Sequence, residues 1–198
     1  MIFGNNYTLN LSNDPLGTFF ATADANGGVD LMLTAPAVAG SSIDLSSGNR
    51  LNINLNTGAV GHVSADGLTI DDTGLTLPLN VLNRVTATKG DDTIINNTTG
   101  YAYTMTGNGG NDIFEGNLRS FTYTMLRDFD VGDTIHLTNA NINTFAFIDN
   151  GTRLNYSDSS TGTSTYMSFG SDPLGTFVAS SNASGGVNLT LVATQTLV

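Results

Sequence analysis

Cysteine is absent from the 198-residue chain, which excludes disulfides, thiolate catalysis and cysteine-ligated zinc or iron–sulfur centres. Basic residues are nearly absent too: six Lys and Arg face seventeen Asp and Glu, for a formal charge of −11. A surface so short of cations does not bind nucleic acid and is repelled by anionic membranes, whereas divalent cations suit it. No apolar run reaches transmembrane length. No basic segment precedes the early apolar residues, since the first basic residue is Arg50, so a secretory signal peptide is not expected. With charged residues at 12% and hydrophobic residues at 39%, the surface is mostly Asn, Thr, Ser and Gly. That balance, with clear alternation, indicates packed β structure rather than disorder.

What is present is a pattern of glycine and aspartate. Ala87-Thr88-Lys89-Gly90-Asp91-Asp92-Thr93-Ile94-Ile95 and Gly107-Asn108-Gly109-Gly110-Asn111-Asp112-Ile113-Phe114-Glu115 each hold Gly at the fourth place, Asp at the sixth and an apolar residue at the eighth. This is the layout of the calcium-binding nonapeptide G-G-x-G-x-D-x-U-x. Glycine lets the backbone curl so that carbonyl oxygens converge, aspartate supplies the hard oxygen that calcium prefers, and the apolar residue points into the core of a strand. The expected metal set is the carboxylates of Asp92 and Asp112, backbone carbonyls of Lys89, Asp91, Gly107, Gly109 and Asn111, and Asp130 or Asp133 closing a second site.

The spacing adds a fold. Asp92 and Asp112 are 20 residues apart, Asp71-Asp72-Thr73 precedes Asp91-Asp92-Thr93 by 20, and Tyr103-Thr104-Met105 returns as Tyr123-Thr124-Met125. A further corner, Gly132-Asp133-Thr134-Ile135, follows after about one more period. Fixed-period self-similarity signals stacked rungs. Rungs about 4.8 Å apart would set the aspartates in a like-charged column, repelling by roughly 3 to 4 kcal/mol per pair at an effective dielectric near 20. A divalent cation between turns would reverse that sign.

Elsewhere the chain alternates in short β segments. Tyr7 to Leu11, Thr18 to Thr22 and Val29 to Leu33 read as strands, with turns at Asp14 to Gly17 and Asn26 to Gly28. The unit recurs 158 residues on: Asp14-Pro15-Leu16-Gly17-Thr18-Phe19 matches Asp172-Pro173-Leu174-Gly175-Thr176-Phe177, and Gly27-Gly28-Val29 matches Gly185-Gly186-Val187. Either a β-meander is duplicated to flank the rungs, or the chain spans slightly more than one period of a tandem or self-assembling array. Residues 43 to 79 read as early rungs without the full calcium pattern. Tyr101, Tyr103, Phe121 and Tyr123 form either an exposed aromatic row or half-buried rung packing. His62 and His136 lie far apart in sequence, no G-x-S-x-G elbow is present, and no enzyme is expected.

The run Met125-Leu126-Arg127-Asp128-Phe129-Asp130-Val131-Gly132-Asp133-Thr134-Ile135-His136-Leu137, with the segment from Val85 to Ile94, resembles the RTX (repeats-in-toxin) family, in which a DF-x-x-G-D-x-I-x-L segment follows the last calcium turns. The resemblance covers residues 85 to 137 and implies a parallel β-roll that folds on calcium outside the cell, after export through a type I channel. The expected fold is all-β, a short parallel β-roll or β-solenoid with glycine–aspartate turns, flanked by antiparallel β units. Its divisions are residues 1–36, an N-terminal β-meander; 37–138, the solenoid; and 139–198, a β-rich cap in which 168–192 repeats 10–34. The expected function is a secreted or cell-surface calcium-binding structural protein that self-associates in a surface layer, filament or biofilm matrix. The alternatives are an adhesin module that binds extracellular polysaccharide or a host ligand, and a non-catalytic targeting module of a secreted enzyme.

Overall fold

The computed structural model describes residues 18–23, 29–34, 38–39, 42–46, 50–63, 69–70, 75–79 and 82–193. The expected strand at Tyr7–Leu11, the turns at 14–17 and 26–28, the Asp71–Asp72 pair and the last five residues lie outside them. Among the described residues the fold is all-β without helix: a two-stranded sheet and two mixed sheets of eight strands each, which do not close into a barrel.

Four strands of the first large sheet, β4 (Ser42–Asp44), β8 (Arg84–Thr86), β10 (Thr104–Thr106) and β12 (Met125–Leu126), run parallel side by side, with β3 (Val38–Ala39) antiparallel at the outer edge of β4. Four of the second, β5 (Leu51–Asn54), β9 (Thr93–Asn96), β11 (Ile113–Gly116) and β13 (Thr134–Leu137), do the same. From β8 to β13 the chain crosses between the sheets after every strand, so each pair of strands forms one tier. The alternation of apolar and polar residues sets which face is buried. In register across the first sheet lie Ile43, Val85, Met105 and Leu126; across the second, Ile53, Ile94, Phe114 and Ile135. All eight are buried between the sheets.

Antiparallel strands flank the tiers. β5 continues into β6 (Val60–Val63) and β7 (Thr69–Ile70) as an antiparallel meander. The early rungs expected between 43 and 79 are thus one tier plus a hairpin excursion. At the other end β14 (Phe145–Asp149), β15 (Arg153–Asp158) and β16 (Thr163–Phe169) are antiparallel among themselves, and β16 lies parallel to β12. The hairpin β17 (Thr176–Ser181) and β18 (Val187–Val192) extends the edge of the second sheet, with β18 antiparallel to β13. Phe129 fastens this end. Its ring stacks on Phe177 at 5.8 Å and lies 5.7 Å from Phe169 and 6.1 Å from Phe114, so one aromatic cluster joins strands of both sheets. The remaining pair, β1 (Thr18–Ala23) and β2 (Val29–Thr34), forms the two-stranded sheet.

The tiers are not uniform in length. Met105 is opposite Leu126, not Met125, so the step between β10 and β12 is 21 residues where the Tyr-Thr-Met repeat suggested 20. A slip of one residue reverses the face of every side chain: Leu126 is buried and Met125 is exposed. The extra residue is taken up in the turn before β12, where Tyr123 adopts a left-handed φ of 64°. The aromatic row divides accordingly. Tyr103 and Phe121 are core residues, while Tyr101 and Tyr123 are 57% and 63% exposed.

Ile113 and Phe114 test the face assignment, because they are adjacent on β11 but 40% and 0% exposed. Phe114→Ala is expected to cost about 3–5 kcal/mol in denaturant unfolding, and Ile113→Ala about 1 kcal/mol or less. Equal losses would contradict the register of β11.

Candidate metal centre

The crossings between sheets form two columns of turns of different chemistry. On one side residues 87–92, 107–112 and 127–133 lead from the first sheet to the second. On the other, 97–103 and 117–124 lead back. The first column contains Asp91, Asp92, Asp112, Asp128, Asp130 and Asp133; the second contains no acid.

At the acidic corner Asp92, Asp112 and Asp133 each lie immediately before a second-sheet strand, on three successive tiers, and all three are buried. They are joined through the backbone. The Asp92 N–H donates to Asp112 Oδ1 at 2.8 Å, and the Asp112 N–H donates to Asp133 Oδ1 at 2.8 Å. The column starts at Leu51, whose N–H donates to Asp92 Oδ1. Thr88 donates to Asp92 through both its N–H, at 2.7 Å, and its hydroxyl, at 2.8 Å. The Asp130 N–H donates to Asp133 Oδ2 at 3.0 Å. A second set runs beside this one. Asp91 Oδ1 accepts the Asn111 N–H at 2.8 Å, and Asp128 accepts the N–H groups of Gly107, at 2.9 Å, and Asn108. Two glycines make the stacking possible: a Cβ on Gly107 would collide with the Asp112 carboxylate, and one on Gly110 would sit 2.6 Å from the Gly90 carbonyl.

Electrostatically the column is poorly balanced. Burial pushes the Asp112 carboxyl up to about 8, the nearby charges of Asp133, Asp92 and Asp128 add to the shift, and the Asp92 N–H opposes it. Burial likewise raises Asp133 to about 6 against the N–H groups of Asp112 and Asp130, and raises Asp92 against Leu51 and Thr88. Backbone donors satisfy hydrogen bonding but carry no whole charge, and among the described residues no lysine or arginine pairs with these three acids.

The other corner solves the same geometric problem with neutral amides. Asn54, Asn96 and Asn117 each accept a backbone N–H two residues on, at 2.9, 3.1 and 2.9 Å. Successive turns are bridged there by Asn56 Oδ1 accepting the Asn97 N–H at 2.7 Å and by Asn139 Oδ1 accepting the Leu118 N–H at 2.8 Å.

Of the residues expected to bind metal, Asp92, Asp112 and Asp133 share the buried column, and Gly107 is buried beside Asp112. Lys89, Asp91, Gly109, Asn111 and Asp130 are exposed around it, Gly109 with a left-handed φ of 105°. The expected metal set omits Thr88 and Asp128, each at the second place of its turn, where Thr88 hydrogen-bonds Asp92 and Asp128 accepts from Gly107 and Asn108; that shared position was the available signal. Among the described residues no three acidic or histidine side chains converge as a ligand group. A cation here would therefore take pairs of carboxylates from adjacent tiers together with carbonyl oxygens. That hard donor set and its uncompensated charge suit calcium. His136 belongs to no such group, because its ring nitrogens contact Glu115 at 3.1 Å and the Gly185 carbonyl at 3.0 Å. No helix among the described residues is long and apolar enough to cross a membrane.

Compared with models of known protein families and with curated proteins, the chain matches none.

Raised carboxyl values set the pH dependence. Between the ordinary value of 3.8 and about 8, the metal-free folded state holds protons that the unfolded chain has released, so stability falls as pH rises. Metal-free protein should melt highest near pH 4 and progressively lower through pH 6 and 8. Asp112→Asn, which keeps an acceptor and removes the charge, should flatten the part of this slope near pH 8. Asp112→Ala strands the Asp92 N–H and should cost about 1–3 kcal/mol at any pH. Melting temperatures rising from pH 4 to pH 8 without metal would contradict the electrostatics.

Proposed function

We propose that this chain is a calcium-binding structural module of the RTX β-roll type, exported and folded outside the cell as a subunit or repeat of a self-assembling surface layer, filament or biofilm matrix. The observation that carries the reading is the segregation of charge. Asparagine holds stacked turns at one corner, so stacking does not require aspartate; at the other corner six carboxylates are gathered and three are buried in register. Buried like charges without counter-charge are costly, and bound divalent cations would convert that cost into folding free energy. The carboxylates of Asp92, Asp112 and Asp133 would hold the ions, with Asp128 and Asp130 at the margin and carbonyls of Lys89, Asp91, Gly107, Gly109 and Asn111 completing the oxygens. In this role calcium replaces the missing disulfides as the staple of a sparsely charged chain. The parallel tiers and the DF-x-x-G-D-x-I-x-L segment, whose Phe129 anchors the terminal aromatic cluster, support the family reading.

Equilibrium dialysis with calcium, paired with thermal melts, tests it. Calcium should bind at pH 7.5, raise the melting temperature by several degrees and abolish the pH dependence of the metal-free form, and Asp112→Asn should bind it at least tenfold more weakly. Absence of binding at millimolar calcium, or equal binding by Asp112→Asn, would refute the proposal.

One observation favours an adhesin as the second reading. A cleft of about 400 Å³ is lined by Arg119, Tyr123 and threonines including Thr99, Thr122 and Thr165. The Tyr123 ring stands edge-on to Tyr166 at 5.2 Å, and Tyr166 carries Arg153 over its face at 3.4 Å. An exposed ring beside hydroxyl and guanidinium donors is suited to a sugar face. On this reading glycan-array binding is lost in Tyr123→Ala, and an array without any hit removes it.

A further inference from the structure

The duplicated hairpins have the same register. β1 pairs with β2 from Thr18↔Thr34 to Ala23↔Val29, and β17 pairs with β18 from Thr176↔Val192 to Ser181↔Val187, the same pairs displaced by 158 residues. Their environments differ. β18 pairs on its other edge with β13, Leu137↔Val187 through Thr134↔Thr190. Among the described residues, β2 pairs only with β1.

The pattern of substitution between the copies shows which constraint the N-terminal hairpin has kept. In the C-terminal hairpin the buried residues are Pro173, Phe177, Val187, Leu189 and Leu191. Their counterparts are Pro15, Phe19, Val29, Leu31 and Leu33, identical at all five positions. Differences fall only where the C-terminal copy is exposed or half-buried, as at Phe20 for Val178, Thr22 for Ser180, Asp30 for Asn188 and Met32 for Thr190. A two-stranded hairpin gains from keeping that set only where a further surface receives it. The turn is equally telling. The Gly185 carbonyl accepts from or faces His136 Nε2 of β13 at 3.0 Å, and a Cβ on Gly186 would meet the Leu137 carbonyl and sit 3.0 Å from Thr138 Cα. Gly186 also has a left-handed φ of 88°, so its own turn and its seat on β13 both ask for glycine. Gly27 and Gly28 retain both residues.

We infer that the N-terminal hairpin is a docking element for the β13 edge of a second copy of this chain, the seat that β17–β18 fills in its own copy. This rests on the self-assembling reading above and specifies its contact. β2 would add antiparallel to β13 of the neighbour, with Val29 to Met32 opposite Leu137 to Thr134. The contact is heterologous, hairpin of one copy to edge of the next, so it does not close and propagates head to tail. Within one copy the resident hairpin is tethered beside its seat at an effective concentration on the order of millimolar. Exchange between copies therefore grows with crowding and takes over when the resident hairpin is released.

Releasing it is the test. In the full chain with calcium, Leu189→Asp places a carboxylate opposite Ile135 and undocks β17–β18. Sedimentation velocity over a concentration series should then show chains that lengthen with concentration, with the far-UV circular dichroism of the wild type. Leu31→Asp/Leu189→Asp should sediment as a monomer, and Leu31→Asp alone should lose whatever concentration-dependent association the wild type shows. A folded Leu189→Asp that stays monomeric, or a double variant that associates as strongly, overturns the proposal. If Leu189→Asp unfolds, cysteine pairing decides in the otherwise cysteine-free chain. A Leu31→Cys chain mixed with an Ile135→Cys chain and oxidised should give the 31–135 cross-linked peptide by mass spectrometry, and Leu31→Cys with Ile94→Cys should give none. No 31–135 link, or both links equally, overturns it. Calcium binding measured on the same samples keeps the two readings apart: lost association with intact binding sinks the docking alone, and lost binding sinks the metal alone.

Discussion

A buried carboxylate that accepts the N–H of the equivalent residue one tier away is the contact on which this molecule depends. It fixes the vertical registration of the acidic turns, because Asp92, Asp112 and Asp133 reach neighbouring tiers through their own backbones. Each link satisfies a donor that would otherwise be orphaned at the start of a strand. Each also takes a carboxyl out of water with no counter-charge among the described residues, so ionising it is costly and the cost accumulates along the column. Everything distinctive about the corner, including glycines where the carboxylates and stacked turns need room, follows from packing acids against backbone at this distance.

The opposite corner shows what the fold requires when charge is not involved. Asn96 and Asn117 close their turns by accepting nearby N–H groups, Asn56 and Asn139 tie turns to their neighbours, and no acid is present. Both corners serve the same strands with the same apolar core between them, so the difference in residue type is not explained by packing. The cation proposed for the acidic corner would give the difference a purpose. The core, by contrast, is conventional: apolar residues in register on two facing sheets, closed at one end by the Phe114, Phe129, Phe169 and Phe177 cluster.

Much of this was legible from spacing. Glycine followed two residues later by aspartate, repeated at 20, marks a turn with a carboxylate acceptor, and Asp92 and Asp112 are stacked as that predicts, with Gly110 in the left-handed region. The all-β character follows from alternation, and the terminal hairpins from the repeat of Asp14–Phe19 at Asp172–Phe177. Other features were not legible. The second Tyr-Thr-Met looks like the first, yet one extra residue in the preceding turn turns Met125 outward and Leu126 inward, and a residue's φ is not written in its identity. Residues 51 to 70 alternate as rung strands would, but antiparallel and parallel pairing use the same side-chain period, so the meander of β5 to β7 reads like further tiers. The hydrogen bonds that bind the corner come from backbone N–H groups, which carry no sequence signature at all. Thr88 and Asp128 matter through them.

Charge on Asp112 is the quantity on which the account turns, and carbon-13 NMR of its side-chain carboxyl reads it directly. Without metal, its resonance should titrate near pH 8; with saturating calcium it should remain ionised down to acidic pH, the ion having taken the proton's place. Titration near pH 4 in both conditions would show that the buried column needs no counter-charge and would contradict a cation there.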